Sequence, residues 1–179
     1  MKYNLFLIFL FLITISCSKR KARRPIQPKP STTVYADALK KSKLINKKND
    51  EKIVALVKND SLNTYIQSTE GFWYTYNHKI NSELPFPKIA DEVIISYSIK
   101  NLNDSIIYSK KDLGIKSYLV DKEDFITGLQ KGIKLMKEGE TVTFIIPPYN
   151  AYGISGDQNK IKPNQSIKST VTLIKLNKK

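Results

Sequence analysis

The architecture turns on Phe125-Ile126-Thr127-Gly128-Leu129-Gln130-Lys131-Gly132-Ile133-Lys134-Leu135-Met136-Lys137-Glu138-Gly139. Phe125, Ile126, Leu129, Ile133 and Leu135-Met136 form an apolar stripe, which predicts a helix over 123–136. Gly139 suits the left-handed position that follows a helix. Thr141 to Ile146 then reads as a strand that stops at Pro147-Pro148, because neither proline can donate a hydrogen bond.

Working outward, a long loop is expected over 149–165 and a last strand over 166–176, with Ile167, Val171 and Leu173 on one face. Upstream, Ser117 to Val120 is a short strand. Glu92 to Asn101 is a longer one, where Val93, Ile95 and Tyr97 alternate with Ile94, Ser96 and Ser98. The turn residues Asn101 to Ser105 lead into Ile106-Ile107-Tyr108, which gives a hairpin. Gly71 to Tyr76 is aromatic-rich and strand-like, and Leu84-Pro85-Phe86-Pro87 is a break. Several antiparallel strands around one central helix make this an α+β chain.

The N-terminus differs in character. Leu5 to Ile15 is an apolar run of about 11 residues, too short for a bilayer core, which needs about 20. It fits the hydrophobic part of a signal peptide over 1–16. Thr14-Ile15-Ser16-Cys17 ends it and resembles a bacterial lipobox, although Thr14 departs from the usual leucine. Cys17 is the only cysteine, so a disulfide within the chain is impossible, and its position marks it for lipidation. An ordinary secretory signal cleaved nearby is the plainer reading.

Residues 17–33 carry Pro25, Pro28 and Pro30 and read as an extended tether. Over 34–70 a helical preamble is expected. Val34, Tyr35, Ala38 and Leu39 form a first helix, and Asp50 caps a second one bearing Ile53, Val54, Leu56 and Val57. That apolar stripe, continued by Leu62, Tyr65 and Ile66, either packs on the domain or makes a dimer or partner surface within 34–66. Residues 71–83 link to a final domain at 84–179.

The net charge is +14, yet six of those charges (Lys19, Arg20, Lys21, Arg23, Arg24, Lys29) sit in the tether with no acid. Nucleic-acid binding would interleave bases with aromatics on a folded face. The tether has no aromatic, so no nucleic-acid partner is expected, and the run suits anionic headgroups instead.

Phe125-Ile126-Thr127-Gly128-Leu129 with Gly132, Leu135-Met136 and Gly139 resembles the segment by which FKBP-type peptidyl-prolyl isomerases enter and leave their single helix. Tyr149-Asn150-Ala151-Tyr152-Gly153, with Gly156, Ile161 and Pro163, resembles that family's long loop. With its lipobox and helical preamble, the whole is similar to the gliding-motility-associated FKBP lipoproteins of gliding bacteria. The resemblance implies a twisted antiparallel sheet wrapped around one short helix. It also implies a hydrophobic pocket between them and an envelope location facing the periplasm. Proline-containing polypeptides would be the clients.

The chemistry needs little machinery. A prolyl bond rotates over a barrier of about 18–20 kcal/mol, and the twisted transition state loses amide resonance. An apolar pocket favours that less polar state, with no nucleophile, cofactor or metal required. By resemblance, Tyr97 and Tyr108 are pocket walls and Phe125 and Ile126 border it. The Ile126 N–H donates to a substrate carbonyl, Leu129 is the floor, the Tyr152 hydroxyl lies near the carbonyl, and Ile161 closes the loop side. Plain core packing is the alternative for each.

Four positions depart from the family. Leu129 replaces a tryptophan, Ser109 an aspartate, and Lys116 and Ser169 phenylalanines. These changes should weaken catalysis and the binding of macrolide immunosuppressants, which leaves a catalytically weak binding module as the competing function. Elsewhere, His78 reads as a surface residue and Trp73 as strand packing. Asp121, Glu123 and Asp124 read as acids favouring the helix N-terminus.

Overall fold

The computed structural model describes residues 32–179. The expected signal peptide, the lipobox with Cys17 and nearly all of the tether lie outside the described residues. By internal contacts the chain divides into Met1–Leu39 and Lys40–Lys179. The described part of the first unit is helical and exposed. No helix among the described residues is long and apolar enough to cross a membrane.

One helix, α1 (Thr32–Asn59), replaces the two expected. The segment Asn46-Lys47-Lys48-Asn49-Asp50 holds neither proline nor glycine, so nothing stops the helix there. Asp50 is therefore internal, and its carboxylate accepts from the Tyr149 hydroxyl at 3.2 Å. The helix ends where Asp60 Oδ1 accepts the amides of Leu62 and Asn63 at 3.0 and 3.2 Å. Ile53 is buried against the domain, whereas Leu62 is 92 % exposed, so the apolar stripe stops short of it.

The strands are β1 (Ile66–Gln67), β2 (Trp73–His78), β3 (Glu92–Lys100), β4 (Ile106–Tyr108), β5 (Ile115–Leu119), β6 (Thr141–Ile146) and β7 (Ile167–Asn177). They form one antiparallel sheet in the order β1-β2-β6-β7-β3-β4, with β5 also on β3. The predicted hairpin is β3–β4. β4 and β5 share one edge of β3 and are separated by a single helical turn, α2 (Lys110–Leu113).

The sheet has two unlike faces. Val93, Ile95, Tyr97 and Ile99 of β3 share a buried face with Val142, Phe144 and Ile146 of β6 and Ile167, Val171 and Leu173 of β7. The opposite face carries hydroxyls: Thr143 meets Thr170 at 2.8 Å and Thr141 meets Thr172 at 3.0 Å. Alternation with a period of two produces this division.

Against the apolar face lies α3 (Thr127–Ile133), shorter than the predicted 123–136. It begins where the Ile126 carbonyl accepts from Leu129 and Gln130 at 2.8 and 2.9 Å. It ends in tighter turns, Leu135 N–H to Gly132 O and Met136 N–H to Ile133 O, which still deliver Met136 to the core. Gly139 has a positive φ of 86°, but it leads into β6 and does not close the helix. The acids before the helix are used otherwise than expected. No acid lies in its first turn, Asp121 pairs with Lys134 at 2.8 Å, and Glu123 accepts the Leu119 amide at 3.3 Å.

The glycines of α3 permit its closeness to β6. A Cβ on Gly132 would stand 2.6 Å from the Phe144 ring, and one on Gly128 would stand 2.6 Å from Ile146. Gly132→Ala is expected to lower stability by about 1–3 kcal/mol, because overpacking outweighs the gain in helix propensity. A urea melt reads this; an unchanged or raised midpoint would contradict the close approach.

Candidate functional site

A hollow of about 360 Å³ opens where the N-terminal end of α3 meets β3, β5 and the long loop. It is lined by Tyr97, Lys116, Asp124, Phe125, Ile126, Ala151 and Tyr152. Tyr97 points from the buried face of β3 and is 8 % exposed, so little more than its rim is wet. Phe125 stands edge-on to Tyr97, with centroids 5.4 Å apart at 89°, and tilts against Tyr118 at 5.3 Å. Leu129 is fully buried beneath.

At this hollow the Ile126 N–H and the hydroxyls of Tyr97 and Tyr152 make no protein hydrogen bond among the described residues. Ile126 precedes the helix with φ −55° and ψ 118°, so its N–H falls outside the helical ladder. Burial pushes the Tyr152 hydroxyl up to about 12, reinforced by the fields of Tyr97, Asp157 and Tyr108. Burial raises Tyr97 as well. Both phenols are therefore neutral donors near neutral pH.

The loop that carries Tyr152 is held at several points. Its start is a 3₁₀ turn, Pro148–Asn150, with the Asn150 amide donating to the Glu70 carbonyl at 2.8 Å. Further on, Gly156 has φ +66°, and a Cβ there would stand 2.2 Å from the Ile161 carbonyl oxygen, which leaves room only for glycine. Asp157 is the hub. Its Oδ1 accepts the amides of Asn159 and Ile161 at 2.9 and 2.7 Å, and its Oδ2 accepts the Tyr108 hydroxyl at 2.5 Å. These bonds outweigh partial burial and hold its carboxyl below the usual range.

Of the residues singled out in the sequence, Tyr97, Phe125, Ile126 and Tyr152 meet at the hollow, with Leu129 under it. Tyr108 and Ile161 do not line it. Tyr108 braces the loop through Asp157, and Ile161 is 2 % exposed in the core. Cys17 lies outside the described residues. His78 is exposed, and Trp73 is strand-bound opposite Ile145.

The four departures occupy defined places. Ser109 caps α2, accepting the Asp112 amide at 3.2 Å while the Asp112 carboxylate accepts the Ser109 amide at 2.8 Å. Ser169 is fully buried and donates to the Ser98 carbonyl at 2.9 Å. Lys116 borders the hollow with its Nζ 5.3 Å from the Phe125 centroid. Asp157 escaped the sequence reading. Gly156-Asp157-Gln158-Asn159 shows a turn, but nothing local points to Tyr108, 49 residues away.

Residues 85–174 match the FKBP-type peptidyl-prolyl cis-trans isomerases, and the chain belongs to that family. It is 30 % identical over 142 residues to the probable FKBP-type isomerase FkpA of Neisseria meningitidis serogroup B, covering 79 % of this chain and 51 % of that protein. It is 31 % identical over 93 residues to the isomerase Mip of Coxiella burnetii, covering 52 % of this chain and 40 % of that protein. The chain thus spans about half the length, or less, of these curated relatives.

The fold agrees with solved structures. An isomerase from Pseudomonas syringae pv. tomato superimposes with a TM-score of 0.62 at 18 % identity, covering 76 % of this chain and 96 % of that one. FkpA from Escherichia coli gives 0.61 at 21 %, covering 99 % and 83 %.

Asp157→Ala is expected to loosen the loop while the sheet stays intact. Hydrogen exchange at the Asn159 and Ile161 amides should speed up about two- to tenfold, the equivalent of one hydrogen bond. The depressed carboxyl also sets a pH window. Its contribution is fully present above the ordinary aspartate value of 3.8 and is lost as pH falls through the lower folded value. Wild-type protection that is indifferent to both changes would remove Asp157 as the hub.

Proposed function

We propose that this chain is a peptidyl-prolyl cis-trans isomerase acting on X-Pro bonds of exported or envelope polypeptides. The observation that carries this reading is the pairing of an aromatic-walled hollow with unpartnered donors at its edge. A proline ring placed between Tyr97, Phe125 and Ile126 loses water on its apolar surface. The Ile126 N–H then holds one substrate carbonyl, which fixes the chain on one side of the rotating bond. The other side turns. As resonance is lost, the amide becomes less polar, and an apolar wall stabilises it relative to the planar form.

Tyr152 supplies a neutral donor at the opposite edge. With its hydroxyl raised to about 12 it stays protonated through the working range, so it orients the substrate and moves no proton. Tyr152→Phe is expected to reduce kcat/KM on a proline peptide about tenfold, roughly 1.4 kcal/mol of transition-state stabilisation. The thermal midpoint should hold, since that hydroxyl makes no protein hydrogen bond among the described residues. Full activity in this variant would remove Tyr152 from the mechanism.

Lys116 and Ser169 favour a second reading, a weakly catalytic binding module. Lys116 brings a cation to the hollow, and Ser169 puts a small polar side chain in the nearby core. Absence of turnover in the wild-type chain, with client aggregation still suppressed, would decide for that reading.

The lipobox-like Thr14-Ile15-Ser16-Cys17 and the basic run behind it support attachment to a bacterial membrane through acylated Cys17, facing the periplasm. Acyl chains contribute about 0.8 kcal/mol per buried methylene, so several on one residue hold firmly. Cys17→Ser should move the protein from the membrane fraction to the soluble fraction. Membrane association that survived this change would refute the anchor.

A further inference from the structure

A second concavity, of about 670 Å³, lies between the C-terminal half of α1, the β3–β4 turn and the loop at 160–166. Its charged side chains are Lys52, Lys160 and Lys162, and it holds no carboxylate. None of the three forms an ion pair among the described residues, whereas Lys131, Lys134 and Lys168 are paired with Glu70, Asp121 and Asp104.

The amides sharpen the bias. Asn101 Oδ1 accepts the amides of Asn103 and Ser105 at 2.9 and 3.0 Å. Gln165 Oε1 accepts the Lys162 amide at 2.8 Å. Asn101 Oδ1 is thereby saturated and that side chain has only its NH₂ left to offer, while Gln165 keeps its NH₂ and one acceptor site. The cleft therefore presents cations and N–H donors together, which suits carboxylates.

Its shape and position choose the occupant. The site is concave and amide-lined, fit for an extended chain, whereas a membrane surface asks for a protruding basic face. It also adjoins the hollow's loop, because Lys160 lines the cleft and lies 5.0 Å from the Tyr108 centroid, and Tyr108 is bonded to Asp157. We propose that this cleft takes an acidic stretch of polypeptide flanking the proline, so that the substrates of choice carry Asp or Glu near their X-Pro bond. The catalytic part of this proposal rests on the isomerase reading; the binding part does not.

The test uses two kinds of peptide with one X-Pro core, one neutral and one with a run of Asp and Glu placed before or after it. Binding is read by fluorescence anisotropy and turnover by isomerisation, for wild type, K52E/K162E and the milder K52Q/K162Q. An acidic peptide should bind wild type about two- to tenfold tighter than the neutral one and show a lower KM at unchanged kcat. The advantage should fade with salt as the screening length falls below about 8 Å. Both variants should lose it in graded order, with the neutral peptide turned over as before and the thermal midpoint unchanged.

Equal affinity for the two peptides, or a preference that survives both variants, would overturn the proposal. So would lysine-dependent binding to anionic phospholipid vesicles without any peptide preference. If the neutral peptide is not turned over, the isomerase reading fails, and anisotropy still reports on the cleft.

Discussion

Everything in this fold depends on how near a short helix comes to the strand beneath it. Phe144 and Ile146 reach up from β6, and only glycine at 132 and 128 leaves space for them. That contact fixes the height of α3 over the sheet, and with it the place where Ile126 leaves the ladder and Phe125 turns toward Tyr97. The hollow is thus a by-product of the packing: the helix starts too late to cover that end of the sheet, and the uncovered part is apolar. A group placed by a close-packed interior is held with little freedom, which is what a site acting by orientation needs.

The loop completes the site by a different principle. It has little core of its own and is fixed by polar bonds at both ends. Asn150 ties it to the carbonyl of Glu70, Asp157 ties it to Tyr108, and Asn49 and Asp50 of α1 bond to Asn164 and Tyr149. Such bonds contribute little singly, but each narrows the positions open to Tyr152. Ser109 caps α2, and the carboxylate that bonds its neighbour Tyr108 comes from the loop, through Asp157.

The legible parts of the sequence were those with a short period. Alternation located β3 (Glu92–Lys100), whose residues switch between buried and half-buried over most of its length, and the stop at Pro147-Pro148 located β6 (Thr141–Ile146), which is buried on both faces from Val142 onward. The helix limits were misjudged because Phe125 and Met136 do reach the core, though through a loop and a turn that periodicity cannot tell from helix. The split of α1 was an error of capping logic: an aspartate starts a helix only where the chain is not already helical. Tyr97, Phe125, Ile126 and Tyr152 line one hollow, whereas Tyr108 and Ile161 do not. The Tyr108–Asp157 bond did not show, since it joins two loop-bounded residues far apart in the chain and leaves no pattern in either segment.

The pairing of β2 with β6 bears on where this protein may be cut. The family match begins at residue 85, after β2, yet β2 covers one whole flank of β6 from Trp73–Ile145 to His78–Thr141. A fragment trimmed to the family limits would leave the backbone amides and carbonyls of β6 open to any other extended chain. Strands in that condition recruit one another into aggregates. The twenty or so residues ahead of the recognised segment therefore act as a selvedge, finishing a fabric that would otherwise unravel into its neighbours.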